Sequence, residues 1–144
     1  NPPDMPSAIK DFCIKTGQGV PETRGEIARC IFESLAFRYK DVFETLKSLI
    51  KKDIDTLYIV GGGSQNTLLS QFTADALEVP VYTGPVEATA MGNIMVQAMA
   101  KGAIKDLEEG RRLIKNSFET VVYYPKDVNL WEKEYERFKN VIIR

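Results

Sequence analysis

Alternating strand and helix periodicities predict an α/β domain, and three observations carry that reading. The stretch Leu57-Tyr58-Ile59-Val60 runs as an apolar strand straight into Gly61-Gly62-Gly63, and helical spacing begins just beyond, at Leu68, Leu69 and Phe72. A second short strand, Val79-Pro80-Val81-Tyr82, is again followed by a glycine turn, Gly84-Pro85, and by a helix. The length of 144 residues suits a single domain spanning 1–144, large enough to bury about two-thirds of the surface of its unfolded chain. In α/β folds the ligand is expected at the strand ends, where these glycines lie.

Taken in order, Met5, Ile9, Phe12 and Cys13 mark a short helix, which the turn Gly17-Gln18-Gly19 ends. Thr23-x-x-Glu26 is a capping-box signature, and a long helix is predicted from Gly25 to Lys51. Its apolar positions Ile27, Ile31, Leu35, Val42, Leu46 and Leu49 form one stripe at helical spacing. On its charged face Arg29 is set to pair with Glu33, and Lys40 with Glu44, each pair contributing a few tenths of a kcal/mol, roughly 0.3.

The strand Thr56–Val60 then delivers the chain to the glycines, and the helix beyond them must lay Leu68, Leu69, Phe72, Ala76 and Leu77 on the sheet. Asp75 on that helix reads as a solvated or capping carboxylate. Beyond Gly84-Pro85 a helix carries a face of small residues, Ala88, Ala90 and Gly92, which suits close packing, with Glu87 at its N-terminus. Gly102 closes that helix, Asp106 caps the next one through Lys115, and Phe118–Tyr124 has strand character. Trp131, Tyr135, Phe138 and Ile142 give the last helix a core-facing stripe.

Composition narrows the function. With 44% hydrophobic residues, 27% charged residues and a formal net charge of −1, no basic excess points to nucleic acid. No apolar run approaches the ~20 residues of a membrane span, so a soluble, cytoplasmic protein is expected. The absence of His rules out His-based catalysis, and Cys13 and Cys30 are too few for a disulfide framework or a metal site. Free buried thiols are expected for both. The chain begins Asn1-Pro2-Pro3 with neither initiator Met nor signal peptide, which suggests a piece of something longer.

The glycine loop is the candidate site. Three glycines at a strand end let a ligand approach the main chain with no Cβ in the way, and free N–H groups opening the next helix attract anions. A phosphate-cradling loop of the P-loop type needs a Lys after its last glycine, and none occurs between Lys52 and Lys101. A dinucleotide fingerprint needs a tiny residue where Asn66 stands, and an acidic residue after the second strand, where Thr83-Gly84-Pro85 follows instead. Asn66 either caps the helix or offers paired donor and acceptor groups to a purine edge. A turn that serves packing alone is the competing reading.

The residues also carry a resemblance. Val60-Gly61-Gly62-Gly63-Ser64-Gln65-Asn66, then Gln71-Phe72-Thr73-Ala74-Asp75-Ala76, then Gly84-Pro85-Val86-Glu87-Ala88-Thr89-Ala90-Met91-Gly92-Asn93 resemble the C-terminal domain of the FGGY carbohydrate kinases. The stretch Pro21–Ala36 is similar to the branch of that family acting on L-rhamnulose, so the likeness covers most of the chain. The block Gly-Pro-Val-Glu-Ala-Thr-Ala is more specific than the glycines alone.

That resemblance implies a ribonuclease-H-like lobe of the actin, Hsp70 and sugar-kinase superfamily, incomplete at its N-terminal edge, with ATP bound between two lobes. Gly61, Gly62 and Gly63 would lie against the nucleotide, Asn66 would contact its adenine end, and Ala88 and Gly92 would pack a helix close beneath. The implied reaction moves the γ-phosphoryl group of ATP, with Mg2+, to the 1-hydroxyl of L-rhamnulose, leaving ADP. The catalytic base and the sugar-binding lobe are not found in these residues, so the isolated chain is expected to be inert. A kinase for another ketose or pentulose, and a Rossmann-like module for S-adenosylmethionine or a dinucleotide, are the alternatives. An unpaired sheet edge would favour self-association.

Overall fold

The computed structural model describes residues 2–142, and all six helices and three strands of the sequence reading are present, with the strands shorter than expected. Helix α1 spans Met5–Lys15, and Asp4 caps it by accepting a hydrogen bond from the Ser7 amide at 3.3 Å. Its side chains stay largely outside the core: Cys13 is buried, but Met5 and Phe12 are exposed.

Helix α2, Arg24–Ile50, starts on the anticipated capping box. The Glu26 amide donates to Thr23 Oγ1 at 3.2 Å, and the Thr23 amide donates back to Glu26 Oε2 at 3.1 Å. Its packing departs from the sequence reading. The buried face is Ala36, Phe37, Lys40 and Phe43, with Phe32 beside it, while Ile31, Leu35, Val42, Leu46 and Leu49 lie on the surface, Leu49 at 72% exposure. Aromatic volume decides between the two faces. Phe37 packs tilted against Trp131 at 5.1 Å, and Trp131 tilted against Phe72 at 5.0 Å between ring centroids, contacts that aliphatic side chains cannot match.

The anticipated Lys40–Glu44 pair is also absent. Lys40, 5% exposed, turns inward to Glu78 and Glu132 and lies 4.9 Å from the Tyr135 ring centroid. Arg29 does pair with Glu33, at 2.7 Å.

Three strands, β1 (Leu57–Ile59), β2 (Val81–Thr83) and β3 (Val121–Tyr123), form one sheet in that order. β1 and β2 are parallel, with Tyr58 beside Tyr82, and β3 runs antiparallel to β2. Helix α3, Thr67–Leu77, is the centre of the molecule: it packs against α2, helix α6 (Val128–Ile142), β2 and β3. Asp75 on α3 is buried, contrary to expectation. Its Oδ1 accepts from Gln71 Nε2 at 2.9 Å and from the Lys126 amide at 2.8 Å. It therefore fastens the segment between β3 and α6 to the core.

Helices α4 (Ala88–Ala100) and α5 (Leu107–Ser117) sit at the periphery. The small-residue face of α4 makes no close helix contact at Gly92, where a Cβ would have no neighbour within 4 Å among the described residues, and Ala90 is exposed. The close helix contact lies elsewhere, where Gly110 of α5 passes Met95 so tightly that a Cβ would stand 2.5 Å from its Sδ. Cys13 and Cys30 are both free, the first buried and the second half-buried.

Candidate functional site

The site begins where β1 ends. Gly61 turns the chain with φ +80°, a conformation that favours glycine, and residues Gly62–Gln65 then wind into one 3-10 turn. The Ser64 amide and hydroxyl both bond to the Gly61 carbonyl, at 3.0 and 2.7 Å, and Ser64 is buried beneath the loop. As the first residues of that turn, Gly62 and Gly63 have amides with no acceptor within it, and both residues are exposed.

Asn66 ends the turn and opens α3. Its amide donates to the Gly63 carbonyl at 3.1 Å, and its Oδ1 accepts from the Leu69 amide at 3.0 Å. Asn66 is therefore an N-cap, one of the two roles left open by its residue type. Parallel pairing brings the second loop alongside. The Gly84 amide donates to the Ile59 carbonyl at 2.8 Å, and the Gly61 amide to the Pro85 carbonyl at 3.1 Å. The two strand ends are thus joined backbone to backbone into a shelf, at the location where parallel sheets hold ligands.

Gly61, Gly62, Gly63 and Asn66 all lie on that shelf. Residue identity did not reveal the part played by Pro85, because its contribution is a main-chain carbonyl. Glu87 sits at the N-cap position of α4 without a side-chain capping bond. The shelf is open. A cleft of about 640 Å³ lies elsewhere, between the α1–α2 connection, α2 and α6, with Cys13, Arg29, Trp131 and Arg137 in its walls and no residue of the glycine loop.

Residues 1–101 match the FGGY family of carbohydrate kinases, C-terminal domain. The chain belongs to that family. FGGY relatives include the rhamnulokinase of Bacteroides thetaiotaomicron, 51% identical over 99% of this chain and 29% of the relative, and that of Bacillus subtilis, 41% identical over 90% and 27%. The chain thus spans less than a third of the length of the curated FGGY relatives it matches.

Solved kinase structures give the fold. The xylulose kinase of Rhodospirillum rubrum superimposes with a TM-score of 0.66, 20% identity and coverage of 87% of this chain and 25% of that one. The gluconate kinase of Lactobacillus acidophilus gives 0.63, 22%, 83% and 25%. The fold of this chain is thus that of the matching part of these two sugar kinases. Among the described residues no helix is long and apolar enough to cross a membrane.

Proposed function

We propose that this chain is the nucleotide-binding part of a kinase that transfers the γ-phosphoryl group of ATP to the 1-hydroxyl of L-rhamnulose. Gly62 carries the nucleotide half of the reading. Its φ is not positive, and a Cβ added to it would meet no atom within 4 Å. The fold itself has no use for a glycine there. Bare backbone at an exposed strand end is what a closely seated ligand needs, and packing gives no account of it.

Gly61 supplies the turn, Gly63 a second bare position, and Asn66 a polar group at the far end of the loop. The sugar is argued from the relatives, which carry the name rhamnulokinase at 41–51% identity. In the reaction the sugar oxygen forms a bond to the γ-phosphorus as the bond to the bridging oxygen of ADP breaks, and the hydroxyl proton passes to a base. We assign that base and the sugar pocket to the part of the relatives that this chain does not match.

Among the described residues no three Asp, Glu, His or Cys side chains converge into a cation cage. Mg2+ would enter with the nucleotide, as the counter-ion of its phosphates. The residues of this chain position the nucleoside.

Titrating the isotope-labelled chain with ATP, and with S-adenosylmethionine and NAD as controls, tests the reading. Amide shifts at Gly62, Gly63 and Asn66 with ATP alone are expected, while shifts there with a control ligand and none with ATP would end the kinase reading. Incubation with L-rhamnulose and MgATP is expected to release no sugar-dependent ADP. Release above a no-protein control would contradict the assignment of base and pocket to other segments.

A further inference from the structure

We propose that the cleft between the α1–α2 connection, α2 and α6 is a second binding site, one for an uncharged sugar or similar polyol. It shares no residue with the glycine loop, so its occupancy is independent of the nucleotide reading. Its volume of about 640 Å³ lies within the range of small-molecule sites, roughly 300–1,000 Å³.

The decisive group is Trp131, which is 7% exposed and stands in the wall of this cleft. A buried indole N–H ordinarily finds an acceptor. Trp131 Nε1 donates to none among the described residues, where the one side-chain polar atom both sealed from solvent and unpartnered is Ser70 Oγ. The indole nitrogen is therefore open, and the cleft is the opening that Trp131 borders. A group seated there can accept from it.

The floor beside it is aromatic: Phe37 lies 5.1 Å from Trp131 and 5.2 Å from Phe138 between ring centroids. The walls are charged and largely paired among themselves. Arg29 Nε donates to Glu33 Oε1 at 2.7 Å, and Arg137 Nη1 to Glu134 Oε2 at 3.3 Å. Glu26 Oε2 accepts from the Glu22 amide at 2.6 Å and from the Thr23 amide at 3.1 Å. Each ion pair still offers a donor next to an acceptor, because Arg29 engages only Nε and Arg137 only Nη1 among the described residues.

This lining favours one kind of ligand. Four carboxylates, those of Glu22, Glu26, Glu33 and Glu134, face two guanidinia, so an organic anion meets an excess of its own sign. An alkylammonium ion is drawn by that excess but offers no acceptor to the Trp131 N–H. A hydroxyl both donates and accepts. It can take the indole and guanidinium protons and give its own to the carboxylates, with no charge to bury. Several hydroxyls on a ring whose C–H face lies over the aromatic floor meet every part of the lining, and that is the chemistry of a sugar.

Trp131 is the single Trp of the 144 residues, so its fluorescence reports on this cleft alone. The test titrates the chain with the methyl α-glycosides of D-glucose, D-galactose and D-mannose, with D-glucuronate, and with n-butylamine. None of these is the sugar of the proposed reaction. A second signal comes from the amides of Gly19 and Val20, which line the same cleft and have no acceptor among the described residues. At least one neutral glycoside is expected to move both signals, with D-glucuronate about tenfold weaker and n-butylamine without effect.

The double variant Glu134→Gln with Arg137→Gln removes one ion pair from the wall. That pair is half-exposed and contributes little to stability, so the fold is retained, as helix content and the thermal midpoint will show. Glycoside binding should weaken about tenfold, a typical loss for charge-assisted hydrogen bonds. The proposal is overturned by D-glucuronate binding as tightly as the best glycoside, by an unchanged affinity in the double variant, or by no glycoside moving Trp131. A glycoside that shifts Gly62 and Gly63 while Trp131 stays silent overturns it as well.

Discussion

Gly84 passes so close to Val60 that a methyl group on it would stand 2.9 Å from Val60 Cγ1. The contact is between the two loops of the shelf, one residue after each parallel strand. Val60 has little χ1 freedom but is exposed on one side, so it can yield somewhat. Gly84→Ala is expected to destabilise the chain by about 1–2 kcal/mol, within the range for overpacking, as read by urea denaturation. Adding Val60→Ala should return most of that loss; failure to do so would mean that the strain lies in the backbone.

Gly62 gives the opposite expectation. With no positive φ and open space at its Cβ, Gly62→Ala should leave stability unchanged or raise it by up to about 1 kcal/mol through loss of chain entropy in the unfolded state. The same variant should lose its amide response to ATP. A protein that is both destabilised and still responsive would reverse the argument from bare backbone.

Asp75 ties Lys126 and Gln71 together, and Gln71 Nε2 also donates to the Tyr124 carbonyl at 2.8 Å. Asp75→Ala leaves the Lys126 amide without its acceptor, at a cost of about 1–3 kcal/mol. Asp75→Asn retains an acceptor oxygen and should cost less. Equal losses in the two variants, measured by thermal unfolding, would show that the carboxylate charge matters and the backbone bond does not.

Lys40 joins α2 to Glu78 at the end of α3 and to Glu132 on α6. Burial opposes its charge, but hydrogen bonds to Glu132 and Glu78 carry its pKa above the ordinary 10.5. The same bond from Lys40 holds the Glu132 carboxyl below its ordinary 4.5. A lowered carboxyl stabilises fully above 4.5 and loses that contribution as the pH falls through its folded value. A raised lysine stabilises fully below 10.5 and loses its contribution as the pH rises through its folded value.

The stability gap between wild type and Glu132→Gln should therefore be flat between these limits and close on the acid side. Singly, Glu78→Gln and Glu132→Gln should each cost no more than about 1 kcal/mol, because both carboxylates are half-exposed. Together they strand a buried ammonium, and about 2 kcal/mol or more is expected. A strictly additive double variant would argue against a shared hub.

Tyr58, 66% exposed, lies on β1 at the edge of the sheet and stacks on Tyr82 at 5.2 Å. An uncovered edge strand is a template for pairing. Association that grows with concentration in light scattering is expected, and Tyr58→Lys should reduce it. A species that stays monomeric throughout the series would count against an active edge.

The sequence made the order of elements legible because each has a local cause: Thr23 and Glu26 build their capping box, Asp106 caps its helix, and Gly61 turns at a strand end. It misled where the choice was between faces of one element. In α2 a Lys interrupts the buried face, and an aliphatic stripe marks the exposed one. Only the aromatic partners Phe72 and Trp131, distant in sequence, decide between them. The partners of Asp75 were hidden for the same reason, because the Lys126 amide is 51 residues away. Of the candidate site, the sequence singled out the glycines and Asn66, while the Pro85 carbonyl became visible only once the strands were paired.

Helix α3 is enclosed by α2, α6, β2 and β3, and Ala74 and Ala76 have no exposure at all. In hydrogen exchange it should be the last segment to open, well after α4 and α5. Asn66 hangs from the first turn of that protected segment. On the proposed reading, a nucleotide arriving there would meet a group already held still, and little of its affinity would go to ordering the protein.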